Sequence, residues 1–266
     1  MHKLKFAYQT LCWMNYPYNH YGVEEVLLEI KDAGFEGIEF AEQMQHFHRV
    51  SDFPGLMERE GMKMASLSCG ISYLPNDPAT ETKKRGEFAA RFGVDALMLC
   101  GGYGPEWMTK DEGLFHNLAG NIDQLGEYLA QFGMKPAFHP HIETLVETYD
   151  DTERLLDRSK YCHICLDVAH FSIAGSDPVK FLKQHNDRVA MIHLKDWRNV
   201  SRGPSKHKHE DFCELGEGEG DIAGFLDAAR DIGFPGWVVV ELENTRYTPL
   251  ESAKMSFEFL RSGGYL

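Results

Sequence analysis

The chain has 266 residues, 43% hydrophobic and 26% charged, which is ordinary for a globular protein and allows one large domain or two small ones. Its formal net charge of −14 argues against sequence-independent nucleic-acid binding, which depends on clustered Lys and Arg. There is no apolar run of membrane-spanning length and no apolar stretch typical of a signal peptide. We therefore expect no membrane partner and a cytoplasmic location.

Strand-like and helix-like segments alternate along the whole chain. Strands are predicted at residues 4–10, 37–40, 63–69, 95–100, 135–140, 162–168, 188–195 and 237–243. Helices are predicted at residues 22–33, 52–60, 81–92, 114–132, 149–159, 177–186, 221–232 and 248–262. Five helices are predicted to stop at a left-handed glycine that an apolar residue follows, namely Gly34, Gly61, Gly93, Gly133 and Gly233.

This alternation is the signature of an α/β fold, the (β/α)8 TIM barrel, in a single domain over residues 1–266. Strands such as 96–100 and 237–240 are apolar on both sides, as expected where both faces of a parallel sheet are covered. A doubly wound open sheet is the alternative. It would usually carry a Gly-rich turn after the first strand, which residues 10–13 lack.

The six cysteines do not form the pattern of a disulfide scaffold in a chain of this length. Cys162 and Cys165 have the spacing of a metal or redox pair, but they lie in a predicted strand. Residues three apart on a strand point to opposite faces, so we expect buried thiols there.

Metal-ligand side chains end four of the later strands. The segments are Phe138-His139-Pro140-His141, Leu166-Asp167-Val168-Ala169-His170, His193-Leu194-Lys195-Asp196 and Val240-Glu241-Leu242-Glu243. From His139, the successive intervals to Asp167, His193 and Glu241 are 28, 26 and 48 residues. The first two match a βαβ unit of roughly 30 residues, and the third matches a unit with an inserted loop.

Because the carboxyl ends of parallel strands meet at one end of a barrel, these side chains should converge. Two imidazoles and two carboxylates predict one divalent metal ion, with Mn, Co or Zn favoured and Mg or Fe also allowed. For Asp167, the alternative is a helix N-cap or a salt bridge. For His193, it is a core histidine.

The same segments resemble the strand-end motifs of the xylose isomerase-like barrel superfamily, which includes sugar-phosphate isomerases, ketose 3-epimerases, hydroxypyruvate isomerases, inosose dehydratases and AP endonucleases. The resemblance covers nearly the whole chain and includes residues 216–221 before the seventh helix. It implies that Asp167, His193 and Glu241 are metal ligands. The fourth family ligand is usually a Glu, and His139 stands in its place. The stretch His139-Pro140-His141-Ile142-Glu143-Thr144 is most similar to the inosose dehydratases.

The resemblance implies proton abstraction next to a metal-polarised carbonyl of a ketosugar or inosose, through an enediolate. With His139 in place of a Glu, a two-glutamate epimerase shuttle is disfavoured and dehydration or isomerisation by one base is favoured. The candidate bases are Glu241, His141 and Glu143, and the candidate acids are Lys195 and His170. Glu143 has the alternative of capping the next helix, and Lys195 that of pairing with Asp196.

The irregular segment 197–220 is long for a loop in a compact domain and is predicted to be functional. His207 and His209 could bind a second metal, but a solvated lid is favoured. The run Gly216-Glu217-Gly218-Glu219-Gly220 superficially resembles a phosphate loop, yet it follows no strand directly and carries two carboxylates, so we reject that interpretation. Aromatic residues near the early strand ends could line a sugar pocket or pack the rim, and they are Trp13, Phe40, Tyr73, Tyr103 and Trp107.

The leading hypothesis is therefore a metal-dependent sugar dehydratase or isomerase with a small polyhydroxy ketone as substrate. A ketose 3-epimerase and a β-elimination lyase on a 3-keto-glycoside are alternatives. An AP endonuclease-like DNA repair enzyme is remote, because residues 66–70 and 99–102 lack histidines and the net charge is acidic. A non-catalytic sugar-binding barrel also remains open, as does a homo-oligomer.

Overall fold

A computed structural model of the chain describes residues 2–16, 21–104, 110–199 and 211–266. Within these residues, the barrel strands are β1 Lys5–Gln9, β2 Gly37–Phe40, β3 Lys63–Ile71, β4 Ala96–Gly101, β5 Lys135–Phe138, β6 His163–Asp167, β7 Val189–Leu194 and β10 Trp237–Val240. These eight strands form a closed barrel in the order β1-β10-β7-β6-β5-β4-β3-β2. The TIM-barrel prediction is confirmed.

Helices separate the barrel strands as predicted. They are α1 Leu11–Asn15, α2 Val23–Ala33, α3 Phe53–Glu60, α4 Thr80–Ala90, α5 Glu112–Ala130, α6 Tyr149–Arg158, α7 Val168–Ile173, α8 Pro178–Gln184, α9 Ile222–Asp231 and α10 Pro249–Ser262. The short helices α1 and α7 were not predicted, and neither were the 3-10 turns Glu42–Met44 and Phe47–Arg49. Each of these four is shorter than a helical periodicity can reveal. None of the described helices is long and apolar enough to cross a membrane.

The helix ends follow local chemistry that the sequence contains. All five predicted stop glycines have positive φ, between 65° and 108°. Thr148 and Thr248 form capping boxes with Asp151 and Glu251 at the starts of α6 and α10. These caps satisfy backbone N–H groups that the first turn of a helix leaves without partners.

The chain divides into two compact units. In described residues, one unit comprises 2–16, 21–65, 193–199 and 211–266, and the other comprises 66–104 and 110–192. The boundaries at Ala65 and His193 fall inside strands β3 and β7.

In the first unit, β1 pairs in parallel with both β10 and β2. Strand β10 is buried along its whole length, as its continuous apolar run predicts. In the second unit, β3 pairs with β4, β4 with β5 and β5 with β6, all in parallel. Cys162 and Cys165 are buried there, and burial raises the pKa of the Cys162 thiol to about 12. The prediction that both thiols are buried is confirmed.

The segment after β7 is more regular than predicted. Strand β8 (Asp196–Trp197) pairs antiparallel with β9 (Phe212–Cys213). The Asp196 carboxylate accepts the backbone N–H groups of Gly216, Gly218 and Gly220 at 2.9–3.1 Å. The backbone N–H groups of the glycine-rich run therefore bind an anion, and this anion is the Asp196 side chain of the same protein. His207 and His209 lie outside the described residues.

Candidate metal centre

In the second unit, His139 and Asp167 stand where β5 and β6 end. Both are buried, and His139 Nε2 lies 3.4 Å from Asp167 Oδ2. Asp167 Oδ1 accepts the backbone N–H of His170 at 2.8 Å, and so caps α7. The N-cap alternative is therefore true of one carboxylate oxygen, while the other oxygen faces His139.

His141 and His170 pack beside this pair. Their ring centroids are 3.8 Å apart with an interplanar angle of 39°, and His139 lies 5.5 Å from His170 and 5.7 Å from His141. His141 Nδ1 is 2.6 Å from the Ile142 carbonyl oxygen. A carbonyl only accepts hydrogen bonds, so Nδ1 carries the proton and, in the neutral ring, Nε2 carries the lone pair.

In the first unit, His193 lies between two carboxylates. Its Nδ1 is 3.0 Å from Glu241 Oε2, and its Nε2 is 3.1 Å from Glu39 Oε1. His193 and Glu39 are fully buried, and Glu241 is 5% exposed. Glu241 Oε1 accepts a hydrogen bond from Gln9 Nε2 at 2.9 Å. Buried carboxylates need such partners, because an isolated charge there is costly.

Lys195 is a fully buried cation of the same unit. Its ammonium lies 2.7 Å from Glu241 Oε2 and 2.9 Å from Glu243 Oε1. Asp196, the partner that the sequence suggested, instead accepts backbone N–H groups. The structure thus corrects the proposed Lys195–Asp196 pair, because the next residue along a strand points to the other face.

One ligand atom from each of His139, Asp167, His193 and Glu241 lies within 4.8 Å of the others, and all four residues are buried. Ligands that share one ion at about 2.0–2.2 Å are at most about 4.4 Å apart, so small side-chain shifts would bring all four atoms to one ion. Two imidazole nitrogens and two carboxylate oxygens also form a donor set that divalent ions accept. The four residues that the sequence predicted can therefore hold a metal ion.

Glu143 differs from the other candidates because it is exposed. Its φ is +62°, and its backbone N–H donates to Glu147 Oε1 at 3.2 Å. The cap of the following helix is Thr148, so the capping alternative for Glu143 is wrong.

The aromatic residues near the early strand ends divide by burial. Trp13 and Phe40 are fully buried and pack the core. Tyr103 is 54% exposed, and its ring meets that of His141 edge to face at 5.6 Å. Tyr103 is therefore available to line a pocket, and Trp107 lies outside the described residues.

The sequence did not assign a role to three side chains near the cluster. Gln9 contacts Glu241 and Glu39 contacts His193, while Glu243 contacts Lys195. Gln9 ends β1 and Glu39 lies in β2. A carboxylate in the apolar strand Gly37–Phe40 carried the same signal that identified Asp167. Glu243 lies two residues after Glu241, and both carboxylates contact the Lys195 ammonium.

The profile of the xylose isomerase-like TIM barrel family matches residues 27–263. The chain belongs to this family. The family resemblance predicted from the strand ends is confirmed.

Among curated relatives, an inosose dehydratase of Mesomycoplasma hyopneumoniae (strain 7448) is 32% identical over 170 residues. That alignment covers 59% of this chain and 56% of the relative, so the match spans only about half of the relative's length. An inosose dehydratase of Geobacillus kaustophilus is 23% identical over 91% of this chain and 87% of its own length.

Solved structures show the same fold. The IolI protein with a bound zinc atom superposes with a TM-score of 0.79 at 19% identity, covering 98% of this chain and 96% of its own. A probable 3-DHS dehydratase of Bacillus anthracis also has a TM-score of 0.79, at 16% identity, covering 97% and 99%.

Proposed function

We propose that this chain is a divalent-metal-dependent dehydratase that acts on an inosose or a related polyhydroxy ketone. The observation that carries the proposal is the buried contact of the Lys195 ammonium with Glu241 at 2.7 Å. A carboxylate and an ammonium in contact supply the base and the acid that removal of water requires. The names of the curated relatives, inosose dehydratases among them, support the substrate class.

The proposed ion is held by His139, Asp167, His193 and Glu241. Mn, Co and Zn suit the two-nitrogen, two-oxygen set, and a bound zinc atom in the IolI structure agrees with that range. When bound, the ion supplies Lewis-acid polarisation of the substrate carbonyl, which acidifies the neighbouring C–H bond.

Glu241 is the proposed base. Its carboxylate takes the proton from the carbon next to the carbonyl, and the electron pair of that C–H bond passes into an enediolate of the substrate. In the following step this electron pair forms the new carbon–carbon double bond as the β-hydroxyl leaves. Gln9 fixes one oxygen of Glu241 by a hydrogen bond at 2.9 Å, which orients the carboxylate before reaction.

Lys195 is the proposed acid. It gives a proton to the leaving hydroxyl, which departs as water, and regains one from Glu241 across the contact of 2.7 Å. Both groups return to their starting states, and the substrate has lost one water. Glu243, at 2.9 Å, keeps a second carboxylate on the ammonium throughout this exchange.

His141 and His170 are proposed to contact the substrate hydroxyls. The lone pair on His141 Nε2 makes His141 an alternative base. His170 is an alternative acid. Glu143 is the weakest candidate base, because it is exposed and its backbone faces Glu147.

The test is incubation of metal-loaded protein in D2O with a panel of inososes, ketoses and 3-keto-sugars, followed by NMR. Dehydration predicts loss of one water from an inosose, with a keto product that carries a new double bond or its tautomer. Glu241→Gln and Lys195→Met should each abolish product. The Lys195→Met variant should still exchange the α-proton with solvent, because its base is intact.

Deuterium uptake without loss of water from any substrate would contradict a dehydratase and indicate an epimerase or isomerase. Product formation by Glu241→Gln at the rate of the unmodified protein would show that Glu241 is not the base.

A further inference from the structure

Glu39 is a fully buried carboxylate that contacts a proposed metal ligand. It is the third residue of β2, and both of its oxygens lie near His193 Nε2, Oε1 at 3.1 Å and Oε2 at 3.2 Å. The two residues are 154 positions apart in sequence. Both oxygens of the Glu39 carboxylate thus lie within 3.2 Å of one ring nitrogen of His193.

The opposite ring nitrogen contacts another proposed metal ligand. His193 Nδ1 lies 3.0 Å from Glu241 Oε2, another member of the ligand set. A carboxylate only accepts hydrogen bonds, so a ring that gives its Nδ1 lone pair to a metal must direct its Nε2 proton at Glu39. The direction of both interactions follows from these two distances.

The backbone around Glu39 is held by Thr10, which is fully buried. The Thr10 N–H donates to the Glu39 carbonyl oxygen at 3.1 Å, and the Thr10 hydroxyl accepts the Ala41 N–H at 2.9 Å. The backbone on the carboxyl side of Glu39 is therefore fixed to the residue that follows β1. A side chain on such a support keeps its position whether or not a ligand is present.

We infer that Glu39 is a positioning residue for the proposed metal site, holding His193 in the tautomer and orientation that direct its Nδ1 lone pair at the ion. The inference rests on the proposed function only for the identity of the four ligands. A carboxylate behind a metal-binding histidine fixes the ring and raises the basicity of the ligand, and loss of such a partner typically weakens metal binding about 10–100-fold.

The test is direct metal binding to metal-free protein, measured by competition with a chromophoric chelator for Zn2+ and Mn2+. Glu39→Gln keeps the size of the side chain and removes its charge, and its Kd should rise about 10–100-fold. Glu39→Asp retains the carboxylate and should recover part of that loss. Glu36→Gln is the matched control, since Glu36 lies three residues earlier, is exposed and pairs with Lys63.

The melting temperature of each metal-free variant separates positioning from folding. A positioning role predicts a Kd change in Glu39→Gln with a metal-free Tm close to that of Glu36→Gln. Equal affinity of the two variants would overturn the inference and leave the proposed function standing. The inference would also be overturned if metal-free Glu39→Gln did not fold and Glu39→Asp bound the ion no more tightly than Glu39→Gln. A protein with native Glu39 that binds no divalent ion would overturn both proposals.

Discussion

Two buried carboxylates of the first unit, Asp196 and Glu241, are stabilised in opposite ways. Asp196 is 1% exposed and accepts four backbone N–H groups, from Trp197 at 2.8 Å and from three glycines at 2.9–3.1 Å. Glu241 is 5% exposed, and its partners are the side chains of Gln9, His193 and Lys195.

The two environments indicate a structural role for Asp196 and a chemical role for Glu241. Backbone N–H groups are fixed by the fold, so a carboxylate that they surround is held in one orientation. The imidazole and ammonium around Glu241 can each exchange a proton, and the imidazole can bind a metal. We therefore expect substitution of Asp196 to change stability and substitution of Glu241 to change activity.

The largest expected effect is on Glu241. Glu241→Gln should lower turnover by roughly 10³-fold or more, because a positioned general base contributes about 10²–10⁴-fold. Lys195 keeps Glu243, and His193 keeps Glu39, so the free energy of unfolding should change little. Steady-state assays and urea unfolding of the same preparation check both halves. If Glu241→Gln retained a tenth of the activity, Glu241 would not be the base, and its role would not differ from that of Asp196 as proposed.

The second prediction concerns Asp196. Asp196→Asn should lower the free energy of unfolding by about 3 kcal/mol, since the amide leaves several buried N–H groups without a charged acceptor. Urea unfolding measures the loss, and the metal content of the folded fraction should stay unchanged. Normal stability combined with loss of the ion would show that Asp196 belongs to the metal site.

The third prediction concerns Gly218, the glycine at which an added Cβ would come closest to Asp196. A Cβ at Gly218 would lie 2.2 Å from Asp196 Oδ1 and 2.6 Å from the Trp197 carbonyl oxygen. Gly218→Ala should therefore cost about 1–3 kcal/mol of unfolding free energy, as overpacking does.

Gly120 supplies the control for that substitution. It lies inside helix α5, and apart from the adjacent helix backbone no atom lies within 4 Å of its ideal Cβ, so Gly120→Ala should stabilise the protein by about 0.5–1 kcal/mol. If Gly218→Ala were equally stabilising, the close approach to Asp196 would not be needed.

The smallest expected effect is on Glu143, which the sequence alone ranked beside Glu241 as a base. Glu143→Gln should change turnover by less than about twofold, as exposed substitutions away from a site usually do. Steady-state kinetics against Glu241→Gln decide the ranking. A loss of 10²-fold or more would place the base on the β5 side of the barrel and exchange the proposed roles.

The sequence predicted the barrel because its glycine stops and apolar strands are local signals, and all five predicted glycines have positive φ. It predicted His139, Asp167, His193 and Glu241 because parallel strands converge at one end. The sequence did not predict which side chains these residues contact. Whether Lys195 contacts Asp196 or Glu243, and whether Glu39 reaches His193 across 154 residues, depends on strand register and burial, which no local pattern encodes.

The contacts of Asp196 with Gly216, Gly218 and Gly220 were also not predictable from the sequence. The alternating glycines were visible in the sequence, and the carboxylates of Glu217 and Glu219 predicted that the run binds no phosphate. That the glycine amides surround a side chain from 20 or more residues earlier became visible only in three dimensions.

The measurement that tests the central claim most directly is the metal content of the purified protein by elemental analysis, compared between Asp167→Asn and Asp196→Asn. We predict one divalent ion per chain in the unmodified protein, no ion in Asp167→Asn and a retained ion in folded Asp196→Asn. Absence of an ion from the unmodified protein after incubation with Mn2+, Co2+ and Zn2+, or equal retention in both variants, would contradict it.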